Sequence, residues 1–315
     1  MTRVSDAPLS INPKSIEELG EVFASQKYVA DPSILTTVYL ALKLGKPILI
    51  EGEPGCGKTE LAKVLSDAFS LRLIRLQCYE GLDSNSTIYE WDYLRQLLMI
   101  RMQESKKSAE ELKQSVFSEE FLLKRPLLDA VLDDGQRPPV LLIDEIDRAD
   151  EEFEGFLLEF LAEFQVTIPE LGTIKARHKP IVVITSNRTR ELGDGLRRRC
   201  LYLYVTFPTL EKELQIVRLK VPAANERLVL QATQVVNRIR SMDDVVHKPG
   251  TAETLDWIAA LVALGRNELD SQVVAQTLSC VLKSSDEVSR LSEDRLFALL
   301  EGVKGGTTDE PSALH

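Results

Sequence analysis

The chain has 315 residues, with 38 Lys and Arg against 49 Asp and Glu, a net charge of −11 and a pI near 5.0. Hydrophobic content of 44% and charged content of 28% describe a globular chain rather than a disordered one, with length for about two domains. The acidic balance disfavours a broad nucleic-acid footprint, which needs a basic face, and no apolar run approaches the ~18 residues that span a bilayer.

From the amino end, residues 1–15 are polar and proline-bearing, a loose lead-in without the apolar core of a signal peptide. The four cysteines, Cys56, Cys78, Cys200 and Cys280, stand apart, with no C-x-x-C and no His at ligand spacing. Structural zinc and a disulfide framework are not expected, which suits a reducing, cytoplasmic compartment. Ser33 to Leu44 reads as a helix with Leu35, Val38, Tyr39 and Leu42 on one side.

Pro47-Ile48-Leu49-Ile50 is of strand length and uncharged. It leads into Gly52-Glu53-Pro54-Gly55-Cys56-Gly57-Lys58-Thr59, which matches G-x-x-x-x-G-K-[ST], and Glu60-Leu61-Ala62-Lys63-Val64-Leu65 follows with helical spacing. Strand, glycine turn, helix is the context that a phosphate site requires. Glycines let successive N–H groups curl around an anion, and the new helix adds its positive end. This stretch, through Glu60, is expected to hold a nucleoside triphosphate, with Lys58 on the β- and γ-phosphates and the Thr59 hydroxyl on Mg²⁺.

Leu71 to Gln77 is a second strand. Cys78 to Met102 is predicted to hold a turn at Gly81 to Ser86 and then an aromatic-rich helix beginning Tyr89-Glu90-Trp91-Asp92-Tyr93-Leu94-Arg95. Glu104 to Glu111 is charged throughout, a solvated helix or linker. Val140 to Ile143 and Pro180 to Thr185 are apolar on both faces, as in a parallel sheet covered by helices. Between them Gln165 to Ala176 reads as a hairpin turning at Pro169 to Gly172. Leu201 to Val205 is the last strand, and Pro208 closes the segment. From Leu210 the pattern is helical, and the tail Gly305 to Pro311 is expected to be disordered. No internal repeat is present. The expected fold is α/β, a parallel sheet between helices, followed by a small all-helical domain. Its parts are a nucleotide-binding domain over 16–208 with a helical insert near 79–102 and a hairpin near 165–178, a helical domain over 209–303 and a tail from 304.

The apolar strand Val140 to Ile143 ends in Asp144-Glu145. Asp144 is placed to hold Mg²⁺, partly through water, beside Thr59, and Glu145 to act as general base on the attacking water. A helix cap with first-turn acids is the bland alternative, and the phosphate loop upstream outweighs it. Asp147, Asp150, Glu151, Glu152 and Glu154 continue the acidic run, mostly as the first turn and solvated face of the next helix, with Asp147 a minor candidate for organising the site. Asn187, after Thr185-Ser186, can bond both the γ-phosphate and the water, or can be an ordinary turn residue. Leu196-Arg197-Arg198-Arg199-Cys200 crowds three guanidinium groups at a sheet end. A neighbouring subunit's triphosphate would supply their anion, and a solvated or ion-paired cluster is the alternative.

Together these motifs resemble the AAA+ ATPases over about residues 20–300: Gly52 to Thr59 as Walker A, Asp144 and Glu145 as Walker B, and Asn187 as sensor 1, with Arg198 or Arg199 as arginine finger. The hairpin between the Walker B helix and the sensor 1 strand resembles the MoxR group. Cys78 to Asp83 together with Ile88 to Leu98 resembles its CoxD-like branch, associated with maturation of molybdenum-containing carbon monoxide dehydrogenase and related hydroxylases. The resemblance implies a lid domain at the carboxyl end and a homo-oligomeric ring, expected to be a hexamer, using ATP and Mg²⁺. It also implies a partner carrying a von Willebrand factor A domain and a metalloenzyme client. The G-A-S-P-R lid motif of many MoxR-type proteins is not matched. Gly250-Thr251-Ala252-Glu253-Thr254 puts Thr254 at the place of its sensor 2 arginine, with Lys248 and Arg266 as substitutes to consider. A GTPase reading lacks an N-K-x-D signature, and a kinase has little use for Glu145 after Asp144. The remaining rivals are a DNA-directed AAA+ motor and a non-hydrolysing ATP-gated scaffold.

Overall fold

The structure, a computed structural model, describes residues 11–82, 87–103, 116–133, 135–290 and 300–301. The expected lead-in to residue 10, most of the turn before Thr87, the charged run from Glu104 and the tail lie outside them. The chain divides into two compact units. The described residues to Gln26, with Ala30–Gly52 and Lys58–Val205, form the first. Lys27–Val29, Glu53–Gly57 and the chain from Thr206 form the second.

In the first unit, helices α1 (Ile16–Ser25) and α2 (Pro32–Leu44) precede strand β1 (Ile48–Gly52). Their ends follow local chemistry. Ser15 Oγ accepts the Glu18 N–H at 3.2 Å, Pro32 occupies a first turn where its missing N–H costs nothing, and Gly45 closes α2 in the left-handed region. Next come α3 (Lys58–Phe69), β2 (Leu73–Gln77), β3 (Tyr89–Trp91), α4 (Tyr93–Gln103), β4 (Leu122–Lys124), α5 (Pro126–Val131) and β5 (Val140–Asp144). They are followed by α6 (Glu151–Glu163), β6 (Gln165–Ile168), β7 (Gly172–Lys175), β8 (Ile181–Ser186), α7 (Asp194–Arg199) and β9 (Leu201–Val205).

Five strands form one sheet in the order β2-β5-β8-β1-β9, with every neighbouring pair parallel. β1 and β5 are buried along their whole length and β8 at all but its first residue, whereas the edge strands β2 and β9 alternate. That is why the central runs are uncharged until their carboxyl ends: both faces are covered by helices. Leu141, Ile143 and Ile184 share a core with Phe153, Leu157 and Phe160 of α6. Parallel register then brings the carboxyl ends together, with Gln77 opposite Asp144 and Glu51 opposite both Ser186 and Tyr204.

The helix expected from Tyr89 is corrected. Tyr89–Trp91 is a strand paired antiparallel with β4, Trp91 opposite Leu122, and the helix starts only at Tyr93, where the Asp92 carboxylate accepts the Arg95 N–H at 3.1 Å. Trp91 is buried, with its ring edge-on to Phe117 at 5.4 Å and to Tyr89 at 5.9 Å. Aromatic residues two apart favour a pleated surface, and that preference overrides helical spacing here. The insert is therefore a two-stranded ribbon plus a helix. The hairpin forms as expected, β6 against β7 with Val166 opposite Ile174.

The second unit is helical: α8 (Leu210–Lys220), α9 (Glu226–Arg240), α10 (Thr251–Ala263), α11 (Ser271–Thr277) and α12 (Ser285–Arg290). Thr209, Asn225 and Asp270 each cap a helix by accepting the N–H three residues on. Trp257, Val235, Val236, Ile258 and Leu261 centre its core. Beside it Arg240 donates to both Glu213 oxygens at 2.6 and 2.7 Å, and the Thr254 hydroxyl donates to Glu213 Oε1 at 2.7 Å. Among the described residues no helix is long and apolar enough to cross a membrane.

Candidate nucleotide-binding and catalytic site

The phosphate loop runs from the end of β1 to the first residue of α3. Gly55 and Gly57 have φ of +79° and +91°, a region that side-chain-bearing residues rarely adopt, which is the conformational reason for glycine at both positions. Lys58 opens α3, is buried, and donates through Nζ to the Gly52 carbonyl at 2.8 Å. Glu60, in the first turn of the helix, pairs with Lys63 at 3.7 Å.

Asp144 ends β5 and is 3% exposed. The Thr59 hydroxyl donates to its Oδ1 at 3.1 Å, and the Thr185 hydroxyl of β8 donates to the same oxygen. Its Oδ2 carries Arg75 Nη2 at 2.6 Å. A buried carboxylate and a hydroxyl side by side are hard oxygen donors that fit Mg²⁺.

Glu145, the next residue, has φ of +56° and ψ of +50°, held by its N–H donating to Thr185 Oγ1 at 3.0 Å. A non-glycine residue kept in this region stores strain of order 1–3 kcal/mol, which surrounding contacts must hold. Three groups grip its carboxylate: Asn187 Nδ2 donates to Oε1 at 3.3 Å, Gln77 Nε2 to Oε2 at 3.1 Å, and Arg148 Nε lies 2.8 Å from Oε2. Sheet register explains the meeting, since β2, β5 and β8 end side by side.

Asp147, given a minor part from sequence, fixes the backbone behind Asn187. It is buried and accepts the Asn187 N–H at 3.1 Å, the Thr189 N–H at 2.9 Å and the Thr189 hydroxyl at 2.6 Å. Burial pushes its carboxyl up, but the Thr189 and Asn187 hydrogen bonds outweigh that and hold it below its ordinary 3.8. Glu154 corrects the expectation of a solvated acidic face. It is buried, pairs with Arg190 and accepts the Gly193 N–H at 2.8 Å, tying α6 to the segment before α7.

The arginine triplet separates into three roles. Arg197 Nη2 lies 3.1 and 3.2 Å from the two oxygens of Glu51, which is buried and also accepts the Tyr202 hydroxyl at 2.9 Å. The anion this cluster was expected to need from outside is thus partly supplied by β1. The signal was in the sequence: a lone acid inside the apolar run Ile50-Glu51-Gly52 calls for a buried cation. Arg199 Nη1 donates to the Leu158 carbonyl at 2.8 Å. Arg198 is 84% exposed and reaches only Asp194, at 3.8 Å, among the described residues.

In the second unit, Thr254 is fully buried between Glu213 and Arg240 and cannot serve as a phosphate contact, while Lys248 and Arg266 are exposed. Within the same unit the Thr251 N–H donates to the Gly55 carbonyl at 3.2 Å. A Cβ on Gly250 would come within 2.6 Å of Gly55 Cα, so glycine is required there by close approach.

Residues 48–207 match the AAA family, the ATPase family associated with various cellular activities. The chain is 26% identical over 204 residues to the uncharacterized protein YehL of Escherichia coli K12, covering 61% of this chain and 51% of that protein. It therefore spans about half the length of that curated relative. Among solved structures, a point mutant of RuvB from Thermotoga maritima is 18% identical with a TM-score of 0.49, covering 93% of this chain and 86% of that one. The Thermotoga maritima RuvB Holliday junction branch migration motor is 18% identical with a TM-score of 0.44, covering 93% and 85%.

Proposed function

Because the chain belongs to the AAA family of ATPases, we propose that it hydrolyses ATP to ADP and phosphate at the Gly52–Thr59, Asp144, Glu145 and Asn187 site. The observation that carries this reading is the meeting of Glu145 with Asn187 at 3.3 Å, one residue from the Asp144–Thr59 pair at 3.1 Å. Lys58 and the loop N–H groups bind the phosphates, and Thr59 and Asp144 would hold Mg²⁺. When bound, Mg²⁺ neutralises the charge developing on the transferred phosphoryl group. Glu145 takes the proton of the attacking water, and the Asn187 amide orients that water. The strained backbone and the grip of Gln77 keep the base at one position, so little reorganisation is needed.

The finer reading follows the resemblance to the MoxR group: a ring, expected to be a hexamer, that remodels a client with a von Willebrand factor A partner. The client is a metalloenzyme, such as a molybdenum-containing CO dehydrogenase, undergoing metal or cofactor insertion. Arg198 is the preferred finger, since Arg197 and Arg199 are held by Glu51 and the Leu158 carbonyl, whereas Arg198 is exposed with only a long contact to Asp194 among the described residues. Thr254 being a core residue leaves the lid without a sensor 2 arginine at that position. The β6–β7 hairpin and helix α4, which exposes Tyr93, Leu94, Leu97, Leu98 and Met102, are the proposed contact surfaces for client or partner. The domains are assigned as a nucleotide-binding domain to about residue 208 and a lid beyond it.

The solution mass of Glu145→Gln, measured with and without MgATP, tests the assembly. A shift to a ring-sized species with ATP supports action at subunit interfaces. A monomer that binds ATP would remove the ring and favour the scaffold or kinase readings.

A further inference from the structure

Arg75 makes a charged contact that the hydrolytic chemistry leaves unused. It lies on β2, the edge strand beside β5, and its Nη2 lies 2.6 Å from Asp144 Oδ2. The same nitrogen donates to Gln77 Oε1 at 2.6 Å, and Gln77 Nε2 donates to Glu145 Oε2 at 3.1 Å. The two oxygens of Asp144 are treated differently. Oδ1 takes the Thr185 and Thr59 hydroxyls, both neutral, whereas Oδ2 takes the guanidinium, with the Thr59 hydroxyl at a longer 3.4 Å. Asp144 is buried and Arg75 is half exposed, so the cation can leave into water while the carboxylate cannot.

We propose that Arg75 is a placeholder cation: it neutralises Asp144 in the nucleotide-free protein and must be displaced when a divalent metal arrives with ATP. A buried carboxylate without a counter-charge is costly, and Arg75 supplies that counter-charge while the metal is away. A divalent ion at the same oxygen repels the guanidinium, so the two occupants exclude each other. Departure of Arg75 also frees the Gln77 side-chain oxygen, while the Gln77 amide still donates to Glu145. Metal entry is thereby coupled along β2 to the side chain that positions the general base. This rests on Asp144 being the metal-side carboxylate of the proposed ATPase.

The test is binding of a fluorescent ATP analogue to the full chain as MgCl₂ is raised, for the unsubstituted protein, Arg75→Gln and Arg75→Lys. Thermal unfolding in EDTA without nucleotide is measured alongside. Arg75→Gln is expected to reach half of its magnesium-dependent gain at about five-fold lower MgCl₂, the scale of one partly exposed ion pair. Arg75→Lys, which keeps the charge, is expected to stay within about two-fold of the unsubstituted protein, as a retained point charge should. In EDTA, Arg75→Gln should melt below the unsubstituted protein, and the gap should close with MgATP. A merely structural arginine would lower melting equally in both conditions and overturn the inference. An unchanged or raised magnesium midpoint in Arg75→Gln would overturn it as well, with the ATPase reading intact. If the unsubstituted protein bound no ATP at all, both would fall.

Discussion

The Asn187 side-chain amide donates to Glu145 Oε1 at 3.3 Å, across the ends of the adjacent strands β8 and β5. Alanine at position 187 removes the only amide on that oxygen among the described residues and leaves the phosphate loop untouched. Asn187→Ala is predicted to lower kcat by about 100-fold, the scale of losing one preorganised polar group, while ATP affinity stays within about three-fold. Steady-state phosphate release and equilibrium ATP binding check the two halves separately. An unaltered kcat would mean that Asn187 is only a turn residue.

Asp147 gives a pH signature. Its carboxyl is held below its ordinary 3.8, so it stays ionised in the fold at pH values where the unfolded chain takes up a proton. Its contribution to stability is therefore full above about pH 4 and is lost as pH falls through the lowered value. Denaturant unfolding of Asp147→Asn against the unsubstituted protein should show a gap at pH 7 that narrows below pH 4. A gap that widens on acidification would contradict the sign. At neutral pH the same variant should also lower kcat, because the Asn187 backbone loses its anchor.

Arg240 and Glu213 form the buried ion pair of the second unit, with Thr254 between them. Arg240→Met leaves Glu213 buried and charged without its counter-ion, and unfolding experiments should show a loss of about 3–5 kcal/mol. Thr254→Arg, which restores an arginine at the family's lid position, should destabilise the unit rather than raise turnover, since Thr254 is fully buried.

Much of this was legible in the sequence because it rests on short-range rules. The phosphate loop, the buried central strands and the Asp144-Glu145 pair follow from glycine conformation, two-faced burial and strand-end chemistry. The hairpin followed from turn residues. The part that was missed depends on neighbours distant in sequence. Arg75 and Gln77 read as ordinary edge-strand polar residues until register sets them beside Asp144 and Glu145. Arg197 read as one of three equivalent arginines until β1 brought Glu51 to it. Tyr89–Trp91 misled for a different reason: three residues cannot distinguish periods, and its partner β4 lies beyond the charged run from Glu104.

Arg198 bears on action between subunits. Mixing Arg198→Ala protein with Lys58→Ala protein should restore part of the ATPase activity that each lacks alone, since mixed interfaces pair an intact loop with an intact finger. Arg197→Ala is expected instead to destabilise the fold, because Glu51 is buried and loses its nearer cation, leaving only Arg188 at 3.8 Å among the described residues. If mixtures of the two variants stay inactive while both assemble, Arg198 does not act in trans.

The most direct test of the hydrolytic account is Glu145→Gln, assayed for ATP binding and phosphate release on the same preparation. The amide keeps the shape and most hydrogen bonds of the carboxylate but cannot accept the water's proton. ATP bound with near-unsubstituted affinity, and phosphate release lowered by at least about 100-fold, is the predicted result. Phosphate release at the unsubstituted rate would contradict Glu145 as the base and, with it, the chemistry assigned to this site.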